Sequence, residues 1–206
     1  MYPLDRHIYL ASRSSRRREL LKQIGVSFEV LLLREGAGRE ADFDETAVGA
    51  EAPEEYVVRV ATAKAEAGWL RLGQRRMVRS PVLSADTTVA VGGRVLGKPA
   101  GREEAVEFLR LLSGRAHLVH TAVAVKFDTR IEVSLSTTEV SFRDLDEREI
   151  RQYVASGEPL DKAGAYGIQG RAAVFIRGIS GSYTGVMGLP LFETGQLLTK
   201  FGYATL

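Results

Sequence analysis

Apolar positions along the chain fall into short continuous runs separated by stretches with helical spacing, and the two patterns divide strands from helices. Residues 8–11 (IYLA) form the first such run, and Glu19, Leu20, Leu21 and Ile24 follow at helical spacing, with Gly25 placed where a helix ends. The reading is strand, tight loop, helix, with Ser12, Ser14 and Ser15 suited to the cap. Residues 28–33 (FEVLLL) predict a second strand, and residues 34–52 a long polar loop in which Asp42, Asp44 and Glu45 stand close together. Pro53, followed by Glu54 and Glu55, opens a helix over residues 53–72 whose inward face carries Val57, Val60, Ala61, Ala65 and Gly68. Lys64 lies seven residues after Val57 and four after Val60, so it projects from that inward face.

A buried strand is predicted over residues 81–85, with Asp86 at its carboxyl end and a further apolar segment behind it. The Gly92-Gly93 pair predicts a hairpin that returns Val95 and Leu96 and brings Lys98 back toward Asp86. A helix over residues 102–112 precedes two long strands, 118–127 and 131–142, joined at Asp128 and Thr129. Asp146 and Glu149 have the spacing of a capping box for a helix reaching Ser156. A loop with Gly164, Gly167 and Gly170 spaced three apart follows, then a strand over 172–176, a glycine-rich turn over 178–188 and a closing helix over 191–201. Helices alternating with strands, without repeats or low-complexity linkers, imply a mixed α/β fold with a central sheet, in one domain over residues 1–206.

Chemistry enters at the first loop. A helix start presents unpaired N–H groups and a positive dipole, yet Arg13, Arg16, Arg17 and Arg18 crowd this one, which suits a bound phosphate. A solvated basic surface is the plain alternative. Asp86 between apolar segments is costly if buried and unpaired, and a turn former is its plain alternative. For Lys64 taken alone, a snorkelling lysine is the ordinary use; an anion over the helix would give its placement a purpose. Gln169 offers a donor and an acceptor together, matching the imide edge of uracil or thymine.

Composition narrows the classes. The 206 residues are 45% hydrophobic and 26% charged with a net charge of only +2, so the basic cluster is local and an extended nucleic-acid face is not expected. Cysteine is absent, which removes disulfides and thiolate chemistry. No apolar run approaches membrane-spanning length, and residues 1–7 lack the apolar core of a signal peptide, so a cytoplasmic location without membrane attachment is expected. His7, His117 and His120 stand in no recognisable triad motif, which disfavours a serine hydrolase.

The segments LASRSSRRRELL, ATAKA, SADTTV, GKP, DKAGAYGIQG and SYTGVMGLPLFET, in this order and across nearly the whole chain, resemble the Maf family of nucleoside triphosphate pyrophosphatases. DKAGAYGIQG is similar to the branch acting on dTTP and UTP rather than the branch acting on 7-methyl-GTP. The resemblance implies an elongated Maf/Ham1-like α/β fold with two lobes around a deep cleft, a homodimer, and a divalent cation, Mg²⁺ or Mn²⁺. It implies cleavage of a pyrimidine nucleoside triphosphate between the α- and β-phosphates, giving a monophosphate and pyrophosphate. A regulator of cell division that binds nucleotide without hydrolysing it is the alternative.

Position by position, the resemblance makes Asp86 the proton acceptor and links Arg16, Thr87 and Gln169 to substrate choice. Arg17, Lys64 and Lys98 match cationic residues of the cleft, and Ser12 joins them as a substrate-binding hydroxyl. Asp86 and Glu45 are the expected metal ligands, with Asp44 as the alternative to Glu45. Ser15 replaces the family's usual proline, and residues 34–42 form a longer loop than usual.

Overall fold

A computed structural model describes residues 7–34 and 41–203. Its elements in chain order are β1 (Ile8–Leu10), α1 (Ser15–Gln23), β2 (Phe28–Val30), α2 (Pro53–Gln74), β3 (Val82–Val91), β4 (Arg94–Leu96), α3 (Arg102–Leu112), β5 (Ala116–Phe127) and β6 (Arg130–Phe142). Then come α4 (Glu147–Ala155), β7 (Ile176–Ser180), α5 (Tyr183–Val186) and α6 (Leu191–Lys200), with single 3₁₀ turns at Glu158–Asp161, Ala163–Ala165 and Arg171–Phe175. Seven strands make one mixed sheet in the order β2-β1-β3-β5-β6-β7, with β4 paired to β3. The β2, β1 and β3 strands run parallel, and β5, β6 and β7 are antiparallel to their neighbours.

Side-chain alternation divides the sheet between two layers. Tyr9 and Val82 pack with Ala67 and Leu72 of α2, while Ile8, Leu10, Leu83 and Ala85 pack with Leu20 and Leu21 of α1 and Leu197 and Leu198 of α6. Further along, Val89 and Phe142 join α3, α4, Tyr166 and Phe175 in a second core on the α1 side. The cleft lies between these two cores. On the opposite side Gly68 lets α2 close on the sheet, since a Cβ there would stand 2.7 Å from Val82 Cγ1.

Several expectations meet the structure with a difference. Asp86 is not at the end of a strand: β3 runs unbroken from Val82 to Val91 because β5 pairs with it continuously, from Val82↔Lys126 to Ala90↔Leu118. The strand expected over 172–176 is instead the 3₁₀ turn Arg171–Phe175, which buries Ala172 and Phe175 three residues apart in the second core, and β7 begins at Ile176. The glycine-rich stretch before α6 contains the short helix α5, capped by Ser182, whose side chain accepts from the Gly185 N–H at 3.0 Å. The Asp146–Glu149 capping box forms as expected, with Glu149 N donating to Asp146 Oδ1 at 2.8 Å and Asp146 N to Glu149 Oε2 at 3.3 Å.

The glycines of the 158–170 loop serve internal packing first. Gly164 has φ +67°, and a Cβ there would lie 2.8 Å from Val89, so its freedom brings the loop against β3. His117 is buried beneath this loop and its Nε2 lies 2.8 Å from the Tyr166 hydroxyl. Burial pushes its imidazole from the ordinary 6.5 down to about 4. Below about pH 6.5 the unfolded chain therefore takes up a proton that the folded chain refuses until about pH 4, and stability falls with pH across that window. Between pH 7 and pH 4.5 the loss from this residue is about 2 kcal/mol, read from urea unfolding of the wild type against His117→Gln, whose pH dependence should be flatter by that amount.

Candidate active site

The loop between β1 and α1 forms because β1 ends at Leu10 and the chain turns at Ser12, whose Oγ accepts from the Ser14 N–H at 3.2 Å. Ser14 is the N-cap of α1 and accepts from Arg17 N at 3.4 Å; the first turn holds no acidic residue. With β1 paired only to Val82 and Leu83, and β4 only to Val89, Ala90 and Val91, residues 84–88 of β3 have no strand on that edge. This gap in the sheet lets alternate residues, Asp86 on the α2 side and Thr87 on the α1 side, reach the same space.

That space is a cavity of about 940 Å³, of the size that holds small-molecule ligands. Ser12, Arg16, Arg17, Glu45, Lys64, Asp86, Thr87, Lys98 and Gln169 all line it, whereas Asp44, the alternative to Glu45, does not. Seven cationic side chains against four carboxylates leave the wall net positive.

The centre of the site is an ion chain. Lys64 Nζ lies 2.7 Å from Asp86 Oδ1 and 2.6 Å from Glu45 Oε1, with the Lys64 and Asp86 side chains only 10% and 14% exposed. Charges so far removed from water persist only when paired. The neighbouring acids have other duties. Asp42 receives Arg71 at 2.6 and 2.9 Å, and Asp44 accepts from Thr46 N at 2.8 Å, so Glu45 is the acid of this loop that enters the cavity. Tyr56, two i+4 steps before Lys64 on α2, also lines the cavity; burial, then the Asp86 and Glu45 charges, push its phenol up to about 12. The helical spacing from Lys64 was the available sequence signal for Tyr56.

Arg17 is held by three segments at once. Its Nε donates to Gly188 O at 2.7 Å, Nη1 to Ser12 Oγ at 3.3 Å and Nη2 to Thr87 Oγ1 at 3.3 Å. Thr87 in turn lies 3.0 Å from Thr121 Oγ1, which donates to Gly185 O at 2.8 Å. Arg16 and the exposed Lys98 and Gln169 occupy the wall, and a Gly164 N to Gly97 O bond of 3.1 Å ties the segment carrying Lys98 to the glycine loop. Glu158, Asp161, Lys162 and Tyr166 line the cavity too; the glycine spacing that marked this loop as ligand-facing did not single them out.

The chain matches the family model described as Maf-like protein over residues 7–201. It belongs to the Maf-like family. This Maf-like chain is 58% identical over 200 residues to a protein of Nitrosomonas europaea named dTTP/UTP pyrophosphatase, covering 97% of each chain. It is also 58% identical over 204 residues to a protein of the same name from Aromatoleum aromaticum, covering 98% of this chain and 99% of the other. Among solved structures, the Ham1 protein of Staphylococcus aureus superposes with a TM-score of 0.52 over 96% of this chain and 100% of that one, at 14% identity, which is a likeness of fold.

The donor set near the ion chain suits a hard divalent cation in one mode. Among the described residues there is no cluster of three or more histidine, cysteine, aspartate or glutamate side chains. Mg²⁺-type ions instead take one or two carboxylates and complete their shell with water and substrate phosphate, and Glu45 and Asp86 supply those two carboxylates. Lys64 pairs with both, and its single positive charge leaves the trio one net negative charge.

If the ion chain sets the local energetics, Lys64→Met should lower stability by about 2–3 kcal/mol, and the Lys64→Met, Asp86→Asn double variant should recover at least about 1 kcal/mol of that. Urea unfolding at neutral pH measures both; costs that merely add would contradict the pairing.

Proposed function

We propose that the chain hydrolyses pyrimidine nucleoside triphosphates, dTTP and UTP, between the α- and β-phosphates, releasing the nucleoside monophosphate and pyrophosphate. The observation that carries this reading is one cavity of nucleotide size lined by cations of the β1–α1 loop, α1, α2 and the segment after β4 together with Asp86, which Lys64 contacts at 2.7 Å. Two relatives at 58% identity carry a name that states the same substrates.

Phosphoanhydride hydrolysis requires a positioned water, neutralised phosphate oxygens and a stabilised leaving group. Asp86 takes the proton of the attacking water as it adds to the α-phosphorus. Arg16, Arg17, Ser12 and the N-terminus of α1 bind the triphosphate, and Arg17, pinned by Gly188, Ser12 and Thr87, does so with little loss of side-chain freedom. Lys64 and Lys98 offset the charge that grows on the departing pyrophosphate. Thr87 and Gln169 shape substrate choice, Gln169 by its paired donor and acceptor. Glu45 and Asp86 would hold the divalent cation, Mg²⁺ or Mn²⁺, which when bound supplies further positive charge at the phosphate oxygens.

The reading extends to a cytoplasmic homodimer without a stable nucleic-acid partner. In support stand the family resemblance, the net charge of +2, and the absence among the described residues of a helix long and apolar enough to cross a membrane. A non-hydrolysing regulator has no use for the proton-accepting carboxylate.

Purified protein with Mg²⁺ should convert dTTP and UTP to monophosphate and pyrophosphate, read by anion-exchange chromatography; orthophosphate with diphosphate would contradict the cleavage position. Asp86→Asn should lower kcat by about a thousandfold or more while nucleotide binding, measured by calorimetry, is retained. Unchanged turnover in that variant removes Asp86 from the mechanism. Sedimentation of the wild type checks the dimer.

A further inference from the structure

One part of the cavity wall has no role in that scheme. Lys162, at the start of the glycine loop, keeps its side chain 15% exposed while lining the cavity. Its ammonium is fixed, with Nζ donating to Glu158 O at 2.7 Å and to Asp161 Oδ1 at 2.6 Å. The stem crosses the backbone of Gly167, where a Cβ would stand 2.9 Å from both Lys162 Cδ and Cε, so a side chain at 167 would displace it. The lysine therefore lies against the segment that carries Gln169, two residues on.

The loop around it is braced. Glu158 accepts from the Tyr153 hydroxyl at 3.0 Å and from Arg171 N at 3.1 Å, which closes the loop on itself. Tyr166 is held from behind by His117 at 2.8 Å. The lysine charge is offset by Asp161, whose carboxyl also feels the Arg16 charge, so this ammonium is a poor phosphate seat and can serve a neutral base.

Uracil and thymine present acceptor, donor, acceptor along one edge. A single carboxamide can satisfy two neighbouring positions, one by donating and one by accepting, which leaves one carbonyl without a donor. An ammonium has three hydrogens; Glu158 and Asp161 take two of Lys162's. We propose that Lys162 is a further specificity-determining residue, donating its third hydrogen to the base carbonyl that Gln169 does not reach. Cytosine, with an amino group in place of one carbonyl and no N3 hydrogen, fails this three-point pattern, and an unmatched fixed donor or acceptor is what makes rejection strong. The assignment rests on the pyrimidine triphosphate reading above.

Steady-state kinetics of the wild type and Lys162→Met with UTP, dTTP and CTP in Mg²⁺ test it, together with competitive inhibition by pyrophosphate. Methionine keeps the stem over Gly167 and removes the donor. The expected result is a fall of about ten- to hundredfold in kcat/KM for UTP and dTTP, less than about threefold for CTP, and an unmoved pyrophosphate inhibition constant. An equal loss on all three substrates, no loss, or weakened pyrophosphate inhibition overturns the assignment. Should the variant not fold by circular dichroism, the wild type decides with 2-thio-UTP and 4-thio-UTP, since sulfur is a poor acceptor: lower kcat/KM with both supports three-point reading, and a loss with only one or neither overturns it. A wild type that cleaves none of the triphosphates fails the functional reading and this inference with it. A wild type that prefers UTP and dTTP, alongside a variant that keeps the preference, fails the lysine alone.

Discussion

A carboxylate in the middle of a strand is the constraint from which the rest of this molecule follows. A carboxylate whose side chain is only 14% exposed needs a cation beside it, and Lys64 supplies one at 2.7 Å. The lysine comes from α2, which covers this face of the sheet through Val57, Ala61, Ala65 and Leu72. Gly68, one turn further along α2, permits the close approach to Val82 that keeps the helix in place. The acidic loop is drawn in by the same charge: Glu45 completes the chain at 2.6 Å, while Asp42 fastens the loop to α2 through Arg71.

The gap in the sheet is the second half of the design. A strand edge with no neighbour would ordinarily leave backbone groups to solvent. Here the interruption between β1 and β4 opens both faces of β3 into one hollow, so residues that alternate along the strand can serve the same ligand. Two cores, one built on α1 and α6 and one on α3 and α4, form the flanks and keep the hollow from collapsing. Arg17 crosses the opening as a brace, bonded to the first loop, to β3 and to the segment after α5. Charged groups held in this way lose little freedom when a polyanion arrives, and that preorganisation is the main catalytic resource for phosphoryl chemistry.

The cations and carboxylates of the cavity are unevenly distributed. Arginines and the α1 N-terminus dominate one side, where repulsion among like charges is relieved by an anion. On the glycine loop, Lys162 is matched by Asp161, and exposed polar and apolar groups remain for a neutral ring. The likeness to the Ham1 structure, at 14% identity, is one of fold alone.

Read alone, the residues determined the elements whose period is local: the capped α1, the long α2 with Lys64 turned inward, the β5–β6 hairpin and the capping box of α4 all stand where apolar spacing and cap chemistry put them. Family resemblance in the motifs supplied the site residues that the structure brings together. Tertiary structure decided what depends on partners distant in the chain. Continuous pairing with β5 carries β3 straight through Asp86, where local pattern put a strand end, and burial of Ala172 and Phe175 in the second core makes a 3₁₀ turn of an apolar run that reads as strand. The separation of Glu45 from Asp42 and Asp44 depends on partners in α2, the bracing of Lys162 over Gly167 on the folded glycine loop, and the hollow on segments as distant as Arg17 and Gly188, because charge pairing and close packing are properties of the assembled neighbours and leave no local period to read.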